Sequence, residues 1–265
     1  MNMDIDSYLE STLSELGGLY HEFADKIAPP IFADIGGIKA WRYQKTSESL
    51  ACYLKGVKLI STLNASMVLL RAGYTQEIGA LCRMADDFCN EIFYLLTPQD
   101  GDKFSKDQLQ FLTDFFQEEF DKPKDPLGST QKRANVPARK IHATFGKLAA
   151  SELNQSDAQE LLRSTHQAFS GYVHGAYPHI MEMFGGVHPH LNGMSGTPRV
   201  DEWRGQLIGY VHRAVMVSVF VVRKLGLSED ENKVRELLSK FEAETGGKSE
   251  KTAAELLKAI KKKRS

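Results

Sequence analysis

An all-α fold follows from three observations. Apolar residues recur at threes and fours along most of the chain. No Asn-Gly or Asp-Gly pair sits between alternating hydrophobics. Hydrophobic residues make up 42% of the 265 residues, enough to fill a core. The expectation is a single large bundle of seven to nine helices with a C-terminal helical appendage, residues 1–245 forming the domain and 246–265 a linker and a basic tail.

Eight helical segments are expected, over about 4–27, 46–71, 74–96, 105–119, 137–151, 156–174, 200–226 and 228–245, with a short turn of helix near 176–184. The third has the cleanest pattern: Ile78, Leu81, Ala85, Phe88, Ile92 and Leu95 form one stripe, and Thr97-Pro98 stops it. The seventh starts at Asp201 as N-cap, buries Trp203, Leu207, Tyr210, Val211, Ala214, Val221 and Leu225, and closes at Gly226. It is apolar nearly all round in its second half, so it is expected at the centre with the third and sixth segments. Two long loops interrupt the helices, a Pro-rich basic one at 121–137 and a Gly-rich one at 185–199.

The formal net charge is -1, so the chain lacks the basic excess of a protein that coats nucleic acid, and any such binding needs a local site. Cys52, Cys82 and Cys89 are three in number and include no C-x-x-C. Cys82 and Cys89 share one side of a helix but stand roughly 10 Å apart along it, too far for a disulfide. Three reduced, buried thiols are expected. The N-terminus "MNMDIDSYLE" is acidic and carries no apolar run, and the apolar stretch "AVMVSVFVV" at 214–222 is short of a membrane span. A cytoplasmic protein without a membrane segment is the expectation.

Two polar stripes carry the candidate chemistry. In "RSTHQAFSGYVHG", Arg163, Gln167, Ser170 and His174 fall at spacings of four, three and four, opposite an apolar face of Leu161, Leu162, Thr165, Phe169, Tyr172 and Val173. In the segment at 74–96, Arg83, Asp87, Asn90 and Tyr94 repeat that spacing. Two readings stand side by side. Each stripe is the wet side of an amphipathic helix, with His174 suiting the helix dipole in its last turn. Alternatively the stripes face each other, Arg83 and Asp87 pair at i, i+4, and His174 moves protons near neutral pH beside an anion.

"LLRAGYTQEIGALCRMADDFCNEIFYLL" at 69–96, followed by "FSGYVHG" at 169–175, resembles uncharacterised bacterial all-helical proteins that carry an Arg/acid helix and a Ser-x-x-x-His helix, and through them the HEPN superfamily of toxins and anti-phage systems. The resemblance covers about residues 45–225. It implies a defence- or toxin-related protein acting on RNA or a nucleotide without metal. In that reading His174 is the acid/base, Arg83 the phosphate clamp, Asp87 its orienter and Ser170 a hydrogen-bond partner, with Arg163, Gln167, Asn90 and Tyr94 as binding residues. Many such proteins place four to six residues between Arg and His. That spacing is absent here, since Arg163 and His174 have ten residues between them, a rise of roughly 16 Å. Arg83 from another helix must then supply the cation.

Other chemistries have weaker signatures. His174, His179, His188 and His190 gather in "HGAYPHIMEMFGGVHPH", but only Glu182 stands near as an acid and no His-Glu-x-x-His occurs. No nucleophile elbow, Walker loop or dinucleotide fingerprint is present, so no metal and no cofactor are expected. Lys258, Lys261, Lys262, Lys263 and Arg264 read as a solvated tail. A homodimer is expected from the extent of apolar helix face. The competing functional class is a non-catalytic helical module that binds a partner protein or a small ligand.

Overall fold

A computed structural model describes residues 4–98, 103–148 and 155–246. The expected linker and basic tail from 247 onward lie outside the described residues. Among the described residues nine α-helices are present: α1 (Ile5–Asp25), α2 (Glu48–Ala72), α3 (Thr75–Leu96), α4 (Lys106–Phe116), α5 (Ala138–Leu148), α6 (Gln155–His174), α7 (Tyr177–Met181), α8 (Pro198–Lys224) and α9 (Ser228–Thr245). The fold is all-α, as the apolar periodicity requires.

The helix ends follow local chemistry. Ser47 caps α2 by accepting from Leu50 N, and Gly73 ends it in the left-handed conformation at φ 76°. Ser105 and Gln108 form a reciprocal capping box on α4. α8 starts earlier than expected. Thr197 is its N-cap and Pro198 occupies the first turn, where a missing N–H costs nothing. Asp201 therefore falls inside the first turn and pairs with Arg204.

The core is built by α1, α2, α3, α8 and α9. α2 is buried on most sides, with Leu50, Ala51, Cys52, Leu59, Leu63, Met67 and Leu70 all inaccessible. It takes the central place expected of the sixth segment. α6 instead lies on the flank, packed on α3 and α5. Among its described side chains, Phe169 and Tyr172 are the large apolar groups that pack against the core. α8 is long and apolar enough to cross a membrane by length and composition, and its apolar stretch is 56% buried inside this fold. Val211, Ala214, Val215, Val217, Val221 and Val222 are fully covered by neighbouring helices.

One element departs from the helical expectation. Strands β1 (Ile31–Ile35) and β2 (Ile38–Arg42) form an antiparallel hairpin with Phe32 opposite Trp41. Its two-residue turn is Gly36-Gly37, both at positive φ (57° and 84°), as a tight hairpin turn demands. Gly-Gly meets that demand as well as Asn-Gly does, so a search limited to Asn-Gly and Asp-Gly passes over it. Arg42 ties the hairpin to Glu118.

The Gly-rich loop at 185–199 is fastened to the α2–α3 corner. Met194 N donates to Gly73 O at 2.7 Å, and His190 N donates to Met183 O at 2.8 Å. A side chain at Gly73 would collide with the backbone of Met194 and Ser195, and one at Gly193 with the Ala72 carbonyl. Two glycines thus let one backbone lie directly on the other.

Candidate active site

α3 packs against α2, α5, α6 and α8. Much of its polar stripe is covered by neighbouring helices. Arg83 is largely buried, and Asn90 and Tyr94 are buried outright. Tyr94 packs edge-on against Phe111 of α4, with ring centroids 5.6 Å apart, and its carbonyl accepts from Gln108 Nε2 at 2.7 Å. It is a packing residue in this arrangement. Asn90 Oδ1 is buried without a hydrogen-bond partner.

The stripe on α6 faces the other way. Arg163 and Gln167 are exposed and bond to each other at 3.0 Å, and Arg163 also holds Glu160 at 2.8 and 2.7 Å. Ser170 is half-buried and His174 is exposed in the last turn. The four residues do not meet the α3 stripe across a pocket. Val173, expected on the inner side, is half exposed. The inner face of α6 instead runs through His166, Phe169 and Tyr172.

Arg83 meets His166. One guanidinium nitrogen donates to His166 Nε2, and the other pairs with Asp87 on its own helix. The expected Arg83–Asp87 pair is therefore present, but its histidine is His166 rather than His174. The two histidines are eight residues apart on α6, about 12 Å along its axis, which puts His174 out of hydrogen-bond reach of Arg83.

A second histidine completes the cluster. His142 of α5 is buried and packs edge-to-face on His166, with ring centroids 5.4 Å apart. Because Arg83 donates into Nε2, His166 is neutral there and carries its proton on Nδ1. Burial lowers the affinity of both rings for a further proton. The Arg83 charge adds to that effect on each ring, and His166 adds to it on His142, while Asp87 and Asp86 oppose it.

Behind this cluster lies a buried carboxylate. Asp86 accepts the Tyr210 hydroxyl at 3.0 Å on one oxygen and pairs with Arg213 on the other. Burial and then the Asp86 charge push the Tyr210 hydroxyl well above its usual range. Burial alone would lower Arg213, and the Asp86 carboxylate outweighs it, so Arg213 stays charged. One turn beyond Asp87, Glu91 pairs with Lys55 of α2 at 2.6 Å, and Lys55 lies over the rings of Phe111 and Phe115. Burial raises Glu91 above the usual carboxylate range even with Lys55 opposing it.

The arrangement offers one fixed cation, two neutral imidazoles in contact and a carboxylate, Asp87, whose side chain is 40% exposed. That set can transfer protons near neutral pH beside a bound oxyanion. His142, His166, Asp86, Tyr210 and Arg213 were not among the sequence candidates. The signal they carry is an ionisable residue in register with an apolar stripe. His166 stands four after Leu162 and three before Phe169, and Asp86 stands four after Cys82 and three before Cys89.

The four histidines of 174–190 do not gather. His179 Nε2 is bonded to the Ala168 carbonyl at 2.9 Å and its ring packs on Tyr172. Tyr172 in turn donates to Glu182 at 2.9 Å, so the one nearby acid is engaged in holding α6 to α7. Among the described residues no group of three or more His, Cys, Asp or Glu is placed to hold a metal ion. Compared with protein-family models, curated proteins and solved structures, the chain matches none, so the reading of this site rests on its geometry.

Proposed function

We propose that the protein is a HEPN-like helical protein that acts on RNA or a nucleotide through the α3–α5–α6 site, by metal-independent acid/base chemistry. The observation that carries the reading is the Arg83 guanidinium donating into the neutral Nε2 of His166, with the His142 ring packed beside it. Arg83 is the phosphate clamp and Asp87 holds its guanidinium. His166 is the acid/base, and His142 fixes its ring. The need for such a pair is general: phosphodiester cleavage wants a cation on the non-bridging oxygens and a group beside it that can give or take a proton near pH 7.

The test is cleavage of mixed cellular RNA by the full chain in the presence of EDTA. The wild-type protein is expected to cleave it, and Arg83→Ala is expected to abolish cleavage. Absence of cleavage by the wild type, or equal cleavage by the variant, ends the reading.

A second reading is favoured by one observation. Tyr177 of α7 and Val187 and Leu191 in the loop that follows are 76%, 85% and 71% exposed, and Phe32 and Trp41 form an open aromatic pair on the hairpin. Apolar side chains left so open support a module that binds a second copy or another protein. Light scattering of the purified chain at micromolar concentration, with Tyr177→Ser and Trp41→Ser variants, tests it. A monomer that captures no partner counts against it.

A further inference from the structure

The chemistry of the Arg83–His166 contact has a consequence for what the site binds and when. An imidazole nitrogen that accepts from a guanidinium has only one lone pair to give. Protonated at Nε2, His166 would present a donor to a donor and a charge to a like charge. An oxyanion placed between them removes that conflict, because one oxygen can accept from each group.

Charge counting selects the anion. Arg83 and Asp87 already cancel. A phosphodiester added to them leaves the part-buried set with one net negative charge, and a single proton on His166 restores neutrality. A terminal phosphate monoester, close to a dianion at neutral pH, would leave it negative.

Among the described residues, the other charged groups around His166 are committed elsewhere. On α3, Asp86 is matched by Arg213 and Tyr210 from α8. From α5, His142 is neutral and more deeply buried than His166, Lys140 pairs with Asp107 at 2.6 Å, and Arg139 is exposed. On α6 itself, Glu160 and Arg163 pair on the outer side, and from α7 His179 is held by a carbonyl.

We infer that the site binds a phosphodiester monoanion together with one proton, the anion entering between Arg83 and His166 as Nε2 of His166 becomes protonated. This rests on the proposed phosphodiester-directed reading and adds to it a ligand charge and a pH dependence. No covalent bond changes in the step; the proton comes from solvent and returns there on release.

The experiment is calorimetric titration of the full chain with the dinucleoside monophosphate d(TpA), which has no 2′-hydroxyl and is not cut by transesterification. Run in two buffers of different ionisation enthalpy at pH 7, wild-type protein is expected to take up about half to one proton per ligand bound. Affinity is expected to fall by up to about tenfold per pH unit between pH 6 and 8. His166→Gln keeps a neutral acceptor and is expected to bind with no proton uptake and a flat profile. AMP, the monoester control, is expected to bind more weakly than d(TpA). Binding of d(TpA) without proton uptake, uptake unchanged in His166→Gln, or no binding at millimolar ligand overturns the inference. RNA cleavage alongside proton-independent d(TpA) binding would sink the inference and leave the functional reading standing. Proton-coupled binding by a protein that cleaves no RNA would do the reverse.

Discussion

Asp86 on α3 accepts the Tyr210 hydroxyl of α8 at 3.0 Å while its second oxygen pairs with Arg213 one turn further along α8. A carboxylate only 4% exposed is thereby matched by one charge and one hydroxyl. Removing it leaves Arg213 without its counter-charge. Asp86→Ala is expected to destabilise the fold by about 3 kcal/mol, and Tyr210→Phe by about 1 kcal/mol. Urea unfolding of the two variants checks the order. Equal small losses would mean that Arg213 is satisfied by water instead.

The two histidines set a pH dependence of stability. Both hold their folded-state proton affinity below the usual imidazole value, chiefly through burial. Between the folded value and the unfolded one near 6.5, the unfolded chain binds more protons, so stability falls as pH drops through that window. The wild type is expected to lose stability from pH 7 to pH 5. The His142→Gln/His166→Gln double variant is expected to lose less. Thermal unfolding across that range measures the difference, and parallel curves would contradict it.

Two glycines with the same backbone angle separate strain from crowding. Gly73 and Gly226 both sit at φ 76°. A side chain at Gly226 meets open space, whereas one at Gly73 meets the backbone of the Gly-rich loop. Gly226→Ala is expected to cost about 1 kcal/mol, the left-handed penalty alone. Gly73→Ala is expected to cost about 2 kcal/mol or more, because overpacking adds to it. Similar losses would show that the 185–199 loop yields without resistance.

The cysteines are expected to be inert in the folded protein. All three are buried and unpaired by disulfide. Burial pushes the Cys52 thiol up to about 12 and Cys89 to about 11, and Cys82 rises well above its usual value. At pH 8 a thiol reagent is expected to label none of them until urea is added, when all three react. Rapid labelling of any one in native buffer would contradict its burial.

Much of the architecture was legible in the residues, because amphipathic helices declare themselves by apolar spacing. The α3 stripe of Ile78, Ala85, Ile92 and Leu95 is buried as its periodicity requires. The hairpin escaped because its turn is Gly-Gly and its strands are only five residues long. Centrality was misplaced for α6, since periodicity tells which face of a helix is covered but not how many neighbours cover it.

The site was half legible. Arg83 and Asp87 were found because i, i+4 pairing is a local rule. His166 was passed over because His174, not His166, completes the four-three-four stripe of Arg163, Gln167 and Ser170. The choice between the two rings depends on where α3 crosses α6, a long-range relation that no local spacing encodes. Arg163 and Gln167 satisfy each other in solvent, which is the ordinary fate of a polar stripe.

The most direct measurement is therefore the RNA-cleavage rate of His166→Ala set against that of His174→Ala under one set of conditions. A loss of about a hundredfold or more is expected for His166→Ala, the usual contribution of an acid/base group, and a rate within about threefold of wild type for His174→Ala. The opposite ranking would place the chemistry on the exposed end of α6 and contradict the account.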